Sequence, residues 1–96
     1  MPGGTKNTEM ELQDQFTAAS EKVKDLTSRP SNEDLLSLYG LFKQATEGDV
    51  HGDKPGMFDF KAAAKYNYWE QLKGVSKEDA MGKYVALVDQ LVAKHS

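Results

Sequence analysis

The chain contains no cysteine. Disulfides, thiolate-ligated zinc and a cysteine nucleophile are excluded together, and a reducing compartment is permitted. Histidine is scarce too: His51 and His95 are the only two. Neither has a neighbour at metal-ligand or catalytic spacing, so each is expected to be a solvated side chain, with no metal site. No apolar run is long enough to span a bilayer, and the opening MPGGTKNTEM lacks the hydrophobic middle of a signal peptide. The expected address is the cytoplasm, without stable membrane insertion. Positive charge is not in excess, since twelve Lys and Arg against fifteen Asp and Glu leave a net charge of −3. That balance argues against nucleic acid bound through bulk electrostatics. No stretch alternates with period two, so a Gly-rich phosphate loop following a strand has nowhere to sit.

What is present suits one small domain. The core of a 96-residue chain covers only part of its surface, which favours a shallow groove over a deep cavity. With 39% hydrophobic and 28% charged residues, the composition is that of an ordinary soluble domain expected to fold alone, and nothing in it demands a dimer.

The first seven residues, MPGGTKN, carry no periodic apolar signal. They are expected to be a flexible arm, native or left over from expression, with the domain at residues 8–96. Thr8 and Glu11 have capping-box spacing, and Leu12, Phe16, Ala19, Val23 and Leu26 then recur at helical intervals, predicting a first helix that ends near Leu26 or Thr27. Ser31 with Asp34 restarts the chain as a second helix that stops at Gly48. GDVHGDKPGMF, residues 48–58, reads as an ordered loop. An alanine-rich third helix spans roughly 60–73 and ends at Gly74. Ser76 and Asp79 then cap a fourth helix whose inner face carries Ala80, Tyr84, Leu87, Val88 and Leu91. The fold class is all-α. Short links favour antiparallel neighbours for helices one and two and for three and four, while the longer middle loop also allows helices two and three to run in the same sense.

On a helical wheel, residues Leu41, Ala45, Leu38, Phe42, Leu35, Thr46, Tyr39, Lys43 and Leu36 of helix two follow one another around an arc of roughly 220°, leaving Ser37, Gln44, Gly40 and Glu47 for solvent. Such an arc is wider than one core stripe needs. Either neighbours wrap the helix on two sides, or part of its apolar surface is kept for a ligand. Lys43 lies inside the arc, with no obvious acidic neighbour to neutralise it. Helix three repeats the pattern, with Lys61 and Lys65 sharing a face with Tyr68, Trp69 and Leu72. Lysine supplies a point charge for phosphate, tyrosine a flat ring and a hydroxyl, and the apolar wall shelters carbon, so the pattern suits an amphiphile with a phosphorylated head and a greasy tail. The plainer reading lays the lysine stems over the core stripe with their charges in water, and makes the tyrosines core residues and Trp69 structural.

No nucleophile, base and oxyanion set can be assembled, so the chain is not read as an enzyme. GDVHGDKPG lacks the alternating ligands and terminal glutamate of an EF-hand calcium loop.

The runs YGLFKQATEGD, KPGMFDF and AKYNYWEQLKGVSKEDAM, followed by Tyr84, resemble the acyl-CoA-binding protein family, with matching order and spacing from about Phe16 to the end. The resemblance implies a four-helix up-down-down-up bundle and a non-enzymatic carrier of medium- to long-chain acyl-CoA esters, with no cofactor. Position by position, it implies that Tyr39, Lys43 and Lys65 hold the ribose 3′-phosphate and adenine region and that Tyr84 lies at the ligand. Lys24 and Lys61 would stand near the head group, and Ser20, Val23, Leu35 and Leu36 near the acyl groove. Two positions depart from the family's usual pattern: Phe42 stands where a tyrosine is usual and Tyr66 where a tryptophan is. Phe42 keeps a ring and loses a hydroxyl, so stacking should survive while any hydrogen bond that the hydroxyl would make to the head group is absent. The expected partners are acyl-CoA esters and the enzymes that use them. The alternative is a helical protein-interaction module that offers the apolar face of helix two as a groove.

Overall fold

The computed structural model describes residues 8–56 and 58–95. The expected arm, residues 1–7, lies outside them, as do the side chains of Thr8 to Met10 and with them the Thr8 cap. The described residues form four α-helices: α1 at Thr8–Lys22, continued by a 3-10 turn at Val23–Asp25, then α2 at Asn32–Glu47, α3 at Phe60–Glu70 and α4 at Lys77–His95. No strand occurs among them.

Local chemistry sets these boundaries. In α2 the backbone N–H of Asp34 donates to Ser31 Oγ at 3.1 Å, and in α4 the N–H of Asp79 donates to Ser76 Oγ at 3.0 Å, so both expected caps form. A third cap was not foreseen: the N–H of Ala62 donates to Asp59 Oδ1 at 3.2 Å and starts α3. Gly48 ends α2 at φ +81°, a conformation that costs glycine little and a side chain more. Helix α1 stops regular winding at Lys22, earlier than its apolar stripe suggests, because the last turn tightens before Leu26 becomes extended. Helix α3 likewise ends at Glu70, where residues 71–74 close into tight turns, with Leu72 N–H donating to Trp69 O at 3.0 Å and Lys73 N–H to Glu70 O at 3.1 Å.

The core is assembled from Phe16 and Ala19 of α1, Leu38, Leu41 and Ala45 of α2, and Ala80, Tyr84, Val88 and Leu91 of α4. Each large aliphatic side chain there contributes about 1.5–3 kcal/mol by leaving water. Among the described helices, α4 packs on both α1 and α2, whereas α3 packs on α2 alone. Helix α2 is therefore wrapped on two sides.

That wrapping corrects the wheel. Gln44 and Gly40, expected in solvent, are buried, and Ser37 is half-buried. Gln44 Nε2 donates to Asp49 Oδ1 at 2.9 Å and to the carbonyl of Val75 at 2.8 Å, while Gly74 N–H donates to the same Asp49 oxygen at 2.8 Å. One amide thus ties α2 to the loop after it and to the entry of α4. A Cβ on Gly40 would stand 3.1 Å from the backbone C and O of Tyr68, so the α2 and α3 backbones touch there. Thr46, placed inside the arc, is instead exposed and donates back to the Phe42 carbonyl at 2.8 Å. His95 is half-buried rather than solvated: Ser28 Oγ lies 2.8 Å from its Nδ1, and Thr27 Oγ1 donates to its carbonyl at 2.6 Å. These bonds fasten the end of α4 to the link between α1 and α2.

Candidate functional site

Between the first turns of α2 and the beginning of α3 runs a groove of about 450 Å³. Arg29, Asn32, Leu35 and Leu36 form one wall, and Phe60, Lys61, Ala64 and Lys65 the other. Leu35 and Leu36 are half-buried, as wall residues with one side toward a cavity should be. Phe60 is 76% exposed although it lines the groove. The guanidinium of Arg29 is oriented by Asn32, with Nη1 donating to Oδ1 at 3.1 Å.

The charged end lies one to two turns further along α2. Lys65 Nζ stands 5.3 Å from the centroid of the Tyr39 ring, a cation–π contact across the α2–α3 seam. Lys43 Nζ stands 4.9 Å from the centroid of Trp69 and donates to Glu47 Oε2. The other carboxylate oxygen of Glu47 is 2.9 Å from His51 Nε2, and the His51 ring meets Trp69 edge-on at 5.3 Å. Trp69 is buried and its Nε1 donates to the Gly48 carbonyl at 2.8 Å, the structural role expected of it. The hydrogen bond from Lys43, together with its charge and the His51 imidazole, holds the Glu47 carboxyl below the usual carboxylate range. Asp49 is held low as well, first by the Gly74 N–H and then by the Gln44 amide.

The structure divides the candidate residues into groups. Leu35, Leu36, Lys61 and Lys65 line one groove, and Tyr39 joins them through Lys65. Lys43 follows on the same helix, paired with Glu47. Tyr84 lies elsewhere, only 4% exposed in the core, edge-on to Phe16 at 5.0 Å and 6.0 Å from Phe42. Burial pushes its phenol up from the ordinary tyrosine value. Phe42 stacks on Phe16 at 5.4 Å and leaves 38% of itself exposed, so this aromatic trio reaches from the core to the surface. Ser20, Val23 and Lys24 are not among the groove's lining residues: Ser20 Oγ donates to the Thr17 carbonyl at 2.7 Å, Val23 packs on the core, and the Lys24 side chain is 70% exposed, 3.9 Å from Glu21.

Sequence reasoning missed Arg29, Asn32, Phe60 and Ala64 as groove residues, and Glu47 as the partner of Lys43. The i,i+4 spacing of Lys43 and Glu47 was the available signal for the last. Among the described residues, no three His, Asp or Glu side chains gather as a metal-ligand group. None of the described helices is long and apolar enough to cross a membrane.

The model of the family described as Acyl CoA binding protein matches residues 13–88. The chain belongs to the acyl-CoA-binding protein family. The acyl-CoA-binding protein of Dictyostelium discoideum is 54% identical over 81 residues, covering 84% of this chain and 96% of that protein. The Saccharomyces cerevisiae acyl-CoA-binding protein is 51% identical over 81 residues, with coverages of 84% and 93%. The crystal structure of Oryza sativa Acyl-CoA-Binding Protein 2 superposes with a TM-score of 0.87 at 45% identity, over 91% of this chain and 95% of that one. The solution structure of the yeast acyl-coenzyme A binding protein gives a TM-score of 0.69 at 51% identity, over 84% and 94%. The four-helix up-down-down-up bundle implied by the sequence motifs is thus the fold of this acyl-CoA-binding protein family member. Membership does not favour the interaction-module alternative.

Proposed function

We propose that the protein binds medium- to long-chain acyl-CoA esters reversibly, without cofactor or chemical step, and sequesters and carries them as a cytoplasmic monomer that delivers them to acyl-CoA-using enzymes. The observation that carries this reading is the α2–α3 groove, in which apolar Leu35 and Leu36 and cationic Lys61 and Lys65 line one 450 Å³ space. Both halves of an amphiphile are addressed there. Lys43 and Lys65 supply charge for the 3′-phosphate of the head group and Tyr39 a ring for the adenine, with Lys61 at the groove's edge. Leu35 and Leu36 take the start of the acyl chain. Tyr84 acts from within the aromatic trio, and Lys24, Ser20 and Val23 join only at the periphery.

Neither half of the ligand suffices alone. Pairing the phosphate with lysines offsets its desolvation, and each methylene of the tail that leaves water contributes about 0.8 kcal/mol. Isothermal titration with palmitoyl-CoA, and with CoA and palmitate separately, tests the reading. One-to-one binding of the thioester with both fragments far weaker is the expected result. Lys43→Ala and Lys65→Ala should each weaken binding by more than ~1.5 kcal/mol, since each removes a charge-assisted contact. Unchanged affinity in both variants would refute the head-group site.

A further inference from the structure

Lys43 is one of the two lysines assigned above to the phosphate, and its charge is already paired within the protein. Its ammonium has the Trp69 ring on one side, 4.9 Å away, and the Glu47 carboxylate on another, and only 23% of its side chain is exposed. Glu47 is not a roaming surface acid. Its second oxygen is held at 2.9 Å by His51 Nε2, and His51 is in turn set edge-on against Trp69. The carboxylate is therefore held in place beside the ammonium from two sides.

The next acid along the chain is engaged elsewhere. This is Asp49, which commits its Oδ1 to Gln44 and Gly74 and has Lys73 as its nearby cation. Across the seam, Lys65 of α3 lies over Tyr39, and from α4 the Lys77 stem approaches Gly48. Among the described residues, Glu47 is the only carboxylate within ion-pair distance of Lys43.

We infer that Glu47 is a built-in competitor for the phosphate group that Lys43 holds: it neutralises the ammonium when the site is empty, gives way when the head group arrives, and returns as the ligand leaves. This rests on the assignment of Lys43 to the 3′-phosphate made above. A phosphate near Lys43 places two negative groups on one ammonium, so Glu47 must swing out or remain as a repulsive neighbour. Either way it lowers affinity and speeds release, which serves a carrier that has to hand over its cargo. Because the carboxylate acts through Lys43, it bears only on ligands that carry that phosphate.

The test is a titration at low ionic strength of the wild type, Glu47→Gln, Lys43→Ala and the double variant, with palmitoyl-CoA and with 3′-dephospho-palmitoyl-CoA as ligands. Glu47 lies on the surface, and thermal melts check that each variant folds. Glu47→Gln should bind palmitoyl-CoA about threefold to tenfold more tightly, the gain shrinking with added salt and lying mainly in the dissociation rate. It should bind the dephospho ligand as the wild type does, and the gain should vanish in the Lys43→Ala background. If Lys43→Ala weakens binding but Glu47→Gln leaves it equal or weaker, the competitor role fails while the head-group site stands. A gain that persists without Lys43, or that extends to the dephospho ligand, also overturns the role, because it would then be long-range charge. Unchanged binding in Lys43→Ala removes the site assignment and this inference with it.

Discussion

Helix α2 presents one face to α4 and another to α3, and the two are finished differently. Toward α4 the contact is closed: Leu38, Leu41 and Ala45 meet Ala80, Tyr84, Val88 and Leu91, and Gln44 spends its amide N–H groups on Asp49 and Val75. Toward α3 the backbones touch at Gly40, but on one side of that contact a groove is left between Leu35, Leu36 and Lys61, Lys65. On its α3 side, lysines rather than leucines border that groove. The buried core cluster lies on the first face, and this lets the second stay incompletely packed.

The two faces can be separated by mutation. Leu91→Ala, which empties a buried position of the closed face, should cost ~2–5 kcal/mol in urea unfolding while the folded protein keeps its palmitoyl-CoA affinity. Equal losses in both measurements would mean the faces are not independent. Gly40→Ala should cost about 1–3 kcal/mol, because its methyl meets backbone rather than a yielding side chain, and it should weaken ligand binding as well by prising α3 away. Unchanged binding there would place the groove's integrity elsewhere.

Two pH effects are smaller and fall on opposite sides of neutrality. Asp49 has a depressed pKa, so the native protein resists protonating it more than the unfolded chain does. Its contribution is present above the usual carboxylate range and is lost as pH falls through the depressed value, and Asp49→Asn should flatten that part of the acid stability profile. Tyr84 is raised, so its contribution is complete below the ordinary tyrosine pKa of about 10 and is lost as pH climbs from there through the raised value. Tyr84→Phe should remove that alkaline decline. Smallest of all, Phe42→Tyr should leave stability within about 0.5 kcal/mol, since the ring is partly exposed, and any gain in palmitoyl-CoA affinity would measure the hydroxyl that this chain lacks.

What could be read from the sequence was mostly local. Ser31 with Asp34, Ser76 with Asp79, and Gly48 announced their caps because the bonds span only a few residues. The breadth of the α2 arc correctly signalled something beyond one core stripe. Gln44 and Gly40 were misassigned because a wheel shows which residues share a face and cannot say that Asp49 and Val75 meet Gln44 or that α3 covers Gly40. His95 was misjudged for a similar reason: its partners Thr27 and Ser28 lie far away in sequence and meet it only after α4 has folded back. At the site, Tyr39, Lys43 and Lys65 were proposed from family motifs, and the structure sets Lys65 over Tyr39 and Lys43 over Trp69. Arg29 and Phe60, which complete the groove, belong to an interhelical link and a helix start, where periodicity gives no signal.

Helix α3 leans on a single neighbouring helix, while α4 is clasped by two. In the language of hydrogen exchange, α3 should be the less protected of the two, since its amides can open by releasing one helix interface without the cooperative loss of the core. On the proposed assignment of the groove, a ligand laid between α2 and α3 adds a second interface for α3. On that assignment, a loaded protein should be recognised by slowed exchange along α3 while the amides of α4 scarcely change.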